Sequence, residues 1–202
     1  MIAVVDYGMG NLRSVAKALE AIGEEPLATR DPADLRAASH IVLPGVGAFS
    51  QCVANLRATG LVDVLDEEVR QRKKPFLGIC LGMQLLANES EEGGRHEGLG
   101  WLAASVRRLH DDGGLKVPHI GWNDVRAEPG SPLFKGVRDP VFYFVHSYYV
   151  DCADPRLVSA TCDYGVTFPA AIVADNVWAV QFHPEKSQAN GLRFLQNFLS
   201  WS

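Results

Sequence analysis

Apolar positions in the first hundred residues fall into short unbroken runs, separated by stretches in which they recur at helical spacing. Ile2 to Val5 carries no polar break, the pattern of a strand covered on both faces. Leu12, Val15, Ala16, Leu19 and Ile22 then recur every three or four residues, and Gly23 stands where a helix stop is expected. Leu27 to Thr29 predicts a second strand. Asp31-Pro32 offers an N-cap followed by proline at the first helical position, opening a short helix through Leu35. Ile41 to Leu43 predicts a third strand, ended by Pro44-Gly45-Val46-Gly47, with helices over 48–58 and 61–72. Phe76 to Ile79 predicts the strand that feeds Cys80, and a helix is expected from Leu81 to Ala87.

The second half changes character. Trp101 to Leu109, Val141 to Val150, Leu157 to Cys162 and Ala170 to Ala174 are strand-like with few helices between them. Ala171 to Ala174 and Val177 to Val180, joined by Asp175-Asn176, read as a hairpin on a two-residue turn. Leu192, Leu195, Phe198 and Leu199 mark a closing helix, and the polar stretch Asn88 to Gly98 predicts a surface loop near the site. Strand alternating with helix, then strands alone, predicts a three-layer α/β fold. Its sheet is doubly wound and mostly parallel, with a mainly antiparallel extension. Residues 1–202 contain no repeat or linker and are expected to form a single domain.

Composition narrows the classes. The chain is 47% hydrophobic and 21% charged, ordinary for a globular protein. Its formal net charge of −5 argues against nucleic acid or an anionic membrane as main partner. The basic cluster Arg70 to Lys74 reads as the C-terminal turn of a helix. The N-terminus has no basic leader and no stretch reaches the length of a membrane span, so a cytoplasmic location is expected. The four cysteines follow no ligand-pair or disulfide spacing, and Cys52, Cys152 and Cys162 read as packed side chains.

Cys80 differs from them in standing between Gly78 and Gly82 at a strand-to-helix turn. That is the layout of a nucleophile elbow with sulfur in place of the hydroxyl. The following helix start favours thiolate, and the backbone N–H of Leu81 is a candidate oxyanion donor. The glycines of Pro44 to Phe49 let backbone N–H groups approach a ligand and complete such a hole, although alone this segment reads as a tight loop before a helix. Gly8-Met9-Gly10-Asn11 lacks the third glycine of a dinucleotide loop, Arg13 standing in its place, so no nucleotide is expected there. Farther on, His183 and Glu185 lie two apart on a segment expected to be extended, which puts both on one face as base and orienting carboxylate. A metal site of His183 and Glu185 with His119 or His146 is the alternative, without a supporting ligand pair at helical spacing.

With these segments the chain resembles the triad-type (class I) glutamine amidotransferases, and within them the glutaminase subunits of imidazole glycerol phosphate synthase. The resemblance runs end to end through Asp6 to Asn11, Pro44 to Phe49, Gly78 to Gln84, His119 to Asn123, His146 to Tyr149 and His183 to Gln188. It implies that Cys80 attacks the glutamine amide, His183 moves the proton and Glu185 holds the imidazole. It also implies that Val46 lies in an oxyanion strand and that Gly47, Gln84, Ser147 and Tyr148 line the glutamine pocket. Trp122, Asn123 and Lys186 would face a partner, a cyclase subunit that receives the ammonia in a heterodimer. No cofactor and no metal are implied. Rival readings are another amidotransferase glutaminase, a cysteine peptidase or redox protein on a related fold, and a binding subunit with a relic triad.

Overall fold

The computed structural model of the chain describes residues 1–111 and 114–201. The first half runs β1 (Ile2–Val5), α1 (Leu12–Glu20), β2 (Pro26–Thr29), α2 (Pro32–Ala37), β3 (His40–Gly45), α3 (Phe49–Ala58), α4 (Leu61–Leu65), β4 (Phe76–Cys80) and α5 (Leu81–Gln84). Strands then dominate: β5 (Ala87–Ser90), β6 (His96–Glu97), β7 (Leu102–Arg108), β8 (His119–Asp124), β9 (Arg126–Ala127), β10 (Val141–His146), β11 (Tyr148–Cys152), β12 (Val158–Tyr164), β13 (Val166–Ala174) and β14 (Val177–Val180). Helix α6 (Gln188–Leu199) closes the chain.

The main sheet has eight strands in the order β2-β1-β3-β4-β14-β13-β12-β9. Its first five strands are mutually parallel, and β13, β12 and β9 continue it antiparallel. Along the parallel strands successive side chains enter two different cores. Ala3, Val5, Ile41, Leu43 and Phe76 pack with α2, α3 and α4 on one face. Ile2, Val4, Val42, Leu77 and Ile79 pack on the other with Val15 and Leu19 of α1 and Phe194, Leu195 and Phe198 of α6. That double covering is why these strands read as continuous apolar runs. Each fully buried Val, Leu, Ile or Phe is stabilised by about 1.5–3 kcal/mol over its exposed state. Helix α2 starts as its sequence dictates: Asp31 accepts from the Ala33 N–H at 2.8 Å, with Pro32 in the first turn.

Several expectations are corrected. Strand β3 does not stop at Leu43 but carries Pro44 and Gly45 beside Ile79 and Cys80, which brings the next residues, Val46 and Gly47, up to the cysteine. The helix expected over 61–72 is regular only to Leu65. A wider, π-type turn over Asp66–Gln71 follows, from which buried Glu68 meets Lys74 Nζ at 2.8 Å. The helix expected to Ala87 ends at Gln84, because the next carbonyls are taken by another segment. Leu85 O accepts from the Leu99 N–H at 2.8 Å, and Leu86 O accepts from Trp101 and Leu102, both at 2.9 Å. Residues 88–98 are not merely a loop, since β5 and β6 pair within them and β5 runs parallel to β7 in a sheet ordered β11-β7-β5-β6. The run Val141 to Val150 breaks at Ser147 into β10 and β11, which join different sheets. The strand β8 was not anticipated; it pairs antiparallel with β10, setting His119 opposite His146.

Candidate active site

Cys80 ends β4 with φ 54° and ψ −110°, a left-handed conformation that side chains avoid and that the surrounding packing must enforce. Gly82 makes the turn possible: a Cβ there would overlap the Leu43 carbonyl oxygen of the neighbouring strand. The elbow expected from the glycine frame is present, but α5 is a single turn, so a helix end contributes little to the charge on sulfur.

Cys80 is 6% exposed and lines a cavity of about 400 Å³. Val46, Gly47, Leu81, Gln84, Ser147 and Tyr148, all named from sequence, line it together with Cys80 and His183. Glu92, Pro118 and Val145, not anticipated, complete the wall together with His146. Val46 and Gly47 are anchored from behind. Tyr7 Oη donates to Pro44 O at 2.8 Å, and Cys52 Sγ donates to Val46 O at 3.4 Å. Gly47 has φ +100°, and a side chain there would also press on Met9. Burial pushes the Cys52 thiol up to about 11 and the Cys162 thiol up to about 12, leaving both as inert packed groups. Another crevice, of about 530 Å³, lies at the opposite end of β4. Its charges are spent on each other, Lys73 with Asp175 at 2.9 Å and Arg70 with Asp66 at 3.8 Å.

His183 follows β14, which lies beside β4, and its backbone N–H donates to Tyr143 O at 2.9 Å. The segment after it is not extended as expected: Pro184–Lys186 form a 3-10 turn that curls Glu185 back under the ring. His183 Nδ1 lies 2.8 Å from Glu185 Oε1, with the two side chains 2% and 1% exposed. With Nδ1 engaged, Nε2 is the ring nitrogen left for proton exchange, and it is buried with no hydrogen-bond partner among the described residues. Burial alone would push the imidazole down. The neighbouring Cys80 sulfur and the Glu185 carboxylate together outweigh it, so the ring is held well above the ordinary histidine range. A cysteine, an imidazole beside it and a buried carboxylate behind the ring form a nucleophile, acid–base and orienter set suited to acyl transfer.

His119 and His146 do not join that set. Their rings bond each other, Nδ1 of His119 to Nε2 of His146 at 2.9 Å, and His146 Nδ1 lies 2.9 Å from Tyr148 O. Of the residues expected to face a partner, two share one patch: Trp122 is exposed and packs edge-on to Tyr143, over whose ring the exposed Lys186 sits at 5.8 Å. Asn123, half-buried, is tied to Asp163 O at 3.1 Å. Sequence reasoning left Gln181 without a role. It is fully buried and its Nε2 lies 3.6 Å from Cys80 Sγ. The signal was available in its spacing, two residues before His183 at the end of a strand, a period that places both on one face.

The family model for "Glutamine amidotransferase class-I" matches residues 3–201. The chain is 51% identical over 204 residues to the imidazole glycerol phosphate synthase subunit HisH of Syntrophotalea carbinolica, covering 98% of both chains. It is 48% identical over 199 residues to that synthase's subunit HisH 1 of Campylobacter jejuni, again covering 98% of both. A solved glutamine amidotransferase matches the fold with a TM-score of 0.76 at 22% identity, over 98% of this chain and 99% of that one. The PurLQS structure from Thermotoga maritima contains a chain that matches at 0.75 and 20% identity, over 99% and 97%.

Proposed function

The chain belongs to the class-I glutamine amidotransferases, and on that footing we propose that it is the glutaminase subunit of an imidazole glycerol phosphate synthase. The observation that carries the reading is Cys80 raised on its left-handed turn into a cavity shared with His183, whose Nδ1 is 2.8 Å from buried Glu185. Relatives of that name, matching end to end at about half identity, support it.

The cavity of about 400 Å³ suits an amino acid, and glutamine enters with its side-chain amide over Cys80. The Cys80 thiolate attacks the amide carbon and the carbonyl electron pair moves onto oxygen. Backbone N–H groups of Leu81 and of the Val46–Gly47 segment face that oxyanion. His183 delivers its Nε2 proton to the leaving nitrogen, the C–N bond breaks, and ammonia departs from a glutamyl thioester on Cys80. The neutral His183 then takes a proton from water, hydroxide attacks the thioester, and the C–S bond breaks. Glutamic acid leaves and ionises in solvent, and the Cys80 thiolate and charged His183 are restored. Glu185 holds Nδ1 throughout and stabilises the charged ring.

Residues 1–202 act as one amidotransferase domain in the cytoplasm. Trp122, Asn123 and Lys186 face a cyclase subunit, which takes the ammonia through a sheltered path and builds imidazole glycerol phosphate in histidine biosynthesis. Shelter matters because ammonia in water at neutral pH is mostly ammonium, which cannot attack. Glutamate release tests the reading, measured with the chain alone, with the cyclase, and with the cyclase carrying its nucleotide. Release that rises with the loaded partner is expected. Release indifferent to it would point to a glutaminase serving some other synthase.

A further inference from the structure

Gln181 is fully buried beneath the cavity, and the structure leaves its amide only one orientation. The argument starts at the Tyr148 carbonyl, which can accept hydrogen bonds but not donate them. The end of Gln84 lying 2.9 Å from Tyr148 O must therefore be its amide nitrogen. That same nitrogen lies 3.0 Å from the Gln181 side chain, so the Gln181 atom facing it must be the oxygen, since two NH2 groups would otherwise oppose each other. With Oε1 fixed toward Gln84, Nε2 of Gln181 is turned onto Cys80 Sγ at 3.6 Å.

The Tyr148 carbonyl is itself fixed from the other side. His146 Nδ1, 2.9 Å from it, must donate, so neutral His146 accepts at Nε2 from His119 Nδ1 at 2.9 Å. His119 then accepts at Nε2 from Asn123 at 3.3 Å. Every tautomer and amide in the series follows from one backbone oxygen.

We propose that Gln181 is a further catalytic residue, whose side-chain N–H donates to the sulfur of Cys80 and holds the nucleophile as a thiolate aimed into the cavity. This rests on the glutaminase reading of the same site. Cys80 is only 6% exposed, so a charge on its sulfur has little water to hydrate it, and an amide donor replaces that water. The amide is too weak an acid to protonate the sulfur, so it supports the nucleophile without competing with His183 for the proton. The thiol form has a different contact, from Sγ to Val145 O at 3.9 Å, so ionisation of Cys80 shifts weight from Val145 to Gln181.

The test compares wild type with Gln181→Met and Gln181→Glu, both close to glutamine in shape and both lacking the donor amide. Two readouts are taken: the rate of Cys80 alkylation by iodoacetamide, which needs no glutamine, and kcat and KM for glutamate release in the complex. Loss of a hydrogen bond to a charged group predicts that alkylation and kcat fall together by about 10- to 100-fold in Gln181→Met, with KM within about threefold of wild type. Unchanged alkylation in that variant would overturn the proposal. So would a loss expressed only in KM. Should the variants lose their far-UV circular dichroism, the wild-type side-chain amide resonances decide. Contacts from the Gln181 amide protons to Cys80 Hβ support the assignment, and contacts to the Gln84 amide instead overturn it. Normal alkylation of a wild-type chain that never turns over glutamine would remove the glutaminase reading while leaving the Gln181 contact standing.

Discussion

His119 and His146 face each other across the paired strands β8 and β10, ring nitrogen to ring nitrogen at 2.9 Å, both nearly closed to water. Burial pushes His119 down to about 4 and His146 down to about 3, so both are neutral across the physiological range. A charged His146 would also turn an N–H onto the N–H of His119.

Stability should therefore fall as pH falls. The unfolded chain takes up protons on both rings near 6.5, while the folded chain resists until about 4 and about 3. The unfolded state thus binds more protons throughout that window, and each ring removes at most about 1.4 kcal/mol of stability per pH unit. His183, raised rather than lowered, has the opposite sign: already charged when folded, it favours the folded state as pH falls through 6.5, and it adds no slope once the unfolded ring is also charged, below about pH 5.5. Denaturant unfolding of wild type and His119→Gln at pH 7, 6 and 5 checks this. Between pH 6 and 5 the variant should lose close to one proton's worth of the slope, whatever its stability at pH 7.

Glu185→Gln should leave the fold intact and cut kcat by about 10²- to 10⁴-fold, the range of a disabled acid–base residue. The variant loses the carboxylate that selects the tautomer and supports the imidazolium, 2.8 Å from Nδ1. Steady-state glutamate release with Tm measured alongside separates this from unfolding; a kcat within threefold of wild type would rule out the orienting role.

Gly82→Ala should be among the most damaging small substitutions in the chain. The added methyl overlaps the Leu43 carbonyl oxygen, and neither β3 nor the elbow can yield without moving Cys80. A loss of about 3 kcal/mol or more is expected, the scale of the severest overpacking. Denaturant titration reads it directly.

How much of this was legible in sequence differs between the halves. Strands β1 and β4 were read correctly because two apolar layers cover them and leave no polar residue within Ile2–Val5 or ahead of Cys80 in Phe76–Cys80. Strands β5 and β8 escaped because they alternate or carry polar residues: Asn88 and Glu89 in one, exposed Ile120 and Trp122 in the other. Their pairing depends on partner strands, β6 and β7 for one and β10 for the other, that their own residues do not announce. Cys80 and His183 could be named because glycines and spacing leave local marks, whereas Gly47, Gln84, Ser147 and Tyr148 were named through the family resemblance. The turn that folds Glu185 back was misread as extended, since Pro184 is compatible with both. Gln181 carries no local mark beyond its spacing; its role depends on Gln84 and Tyr148, about a hundred and about thirty residues away in sequence.

Trp122→Ala and Lys186→Ala should weaken binding of the cyclase by about tenfold or more each, as truncation of an exposed anchor does. Calorimetric titration of each variant with the cyclase measures this. Equal affinities would move the docking face away from the Trp122–Tyr143–Lys186 patch.

The central claim is that glutamine is cleaved on the sulfur of Cys80. The most direct test is glutamate release by Cys80→Ala, assembled with the cyclase and its nucleotide and compared with wild type in the same assay. The account predicts a fall of about 10⁴-fold or more, to background, with assembly unchanged. Release persisting within about tenfold of the wild-type rate would contradict it and place the nucleophile elsewhere.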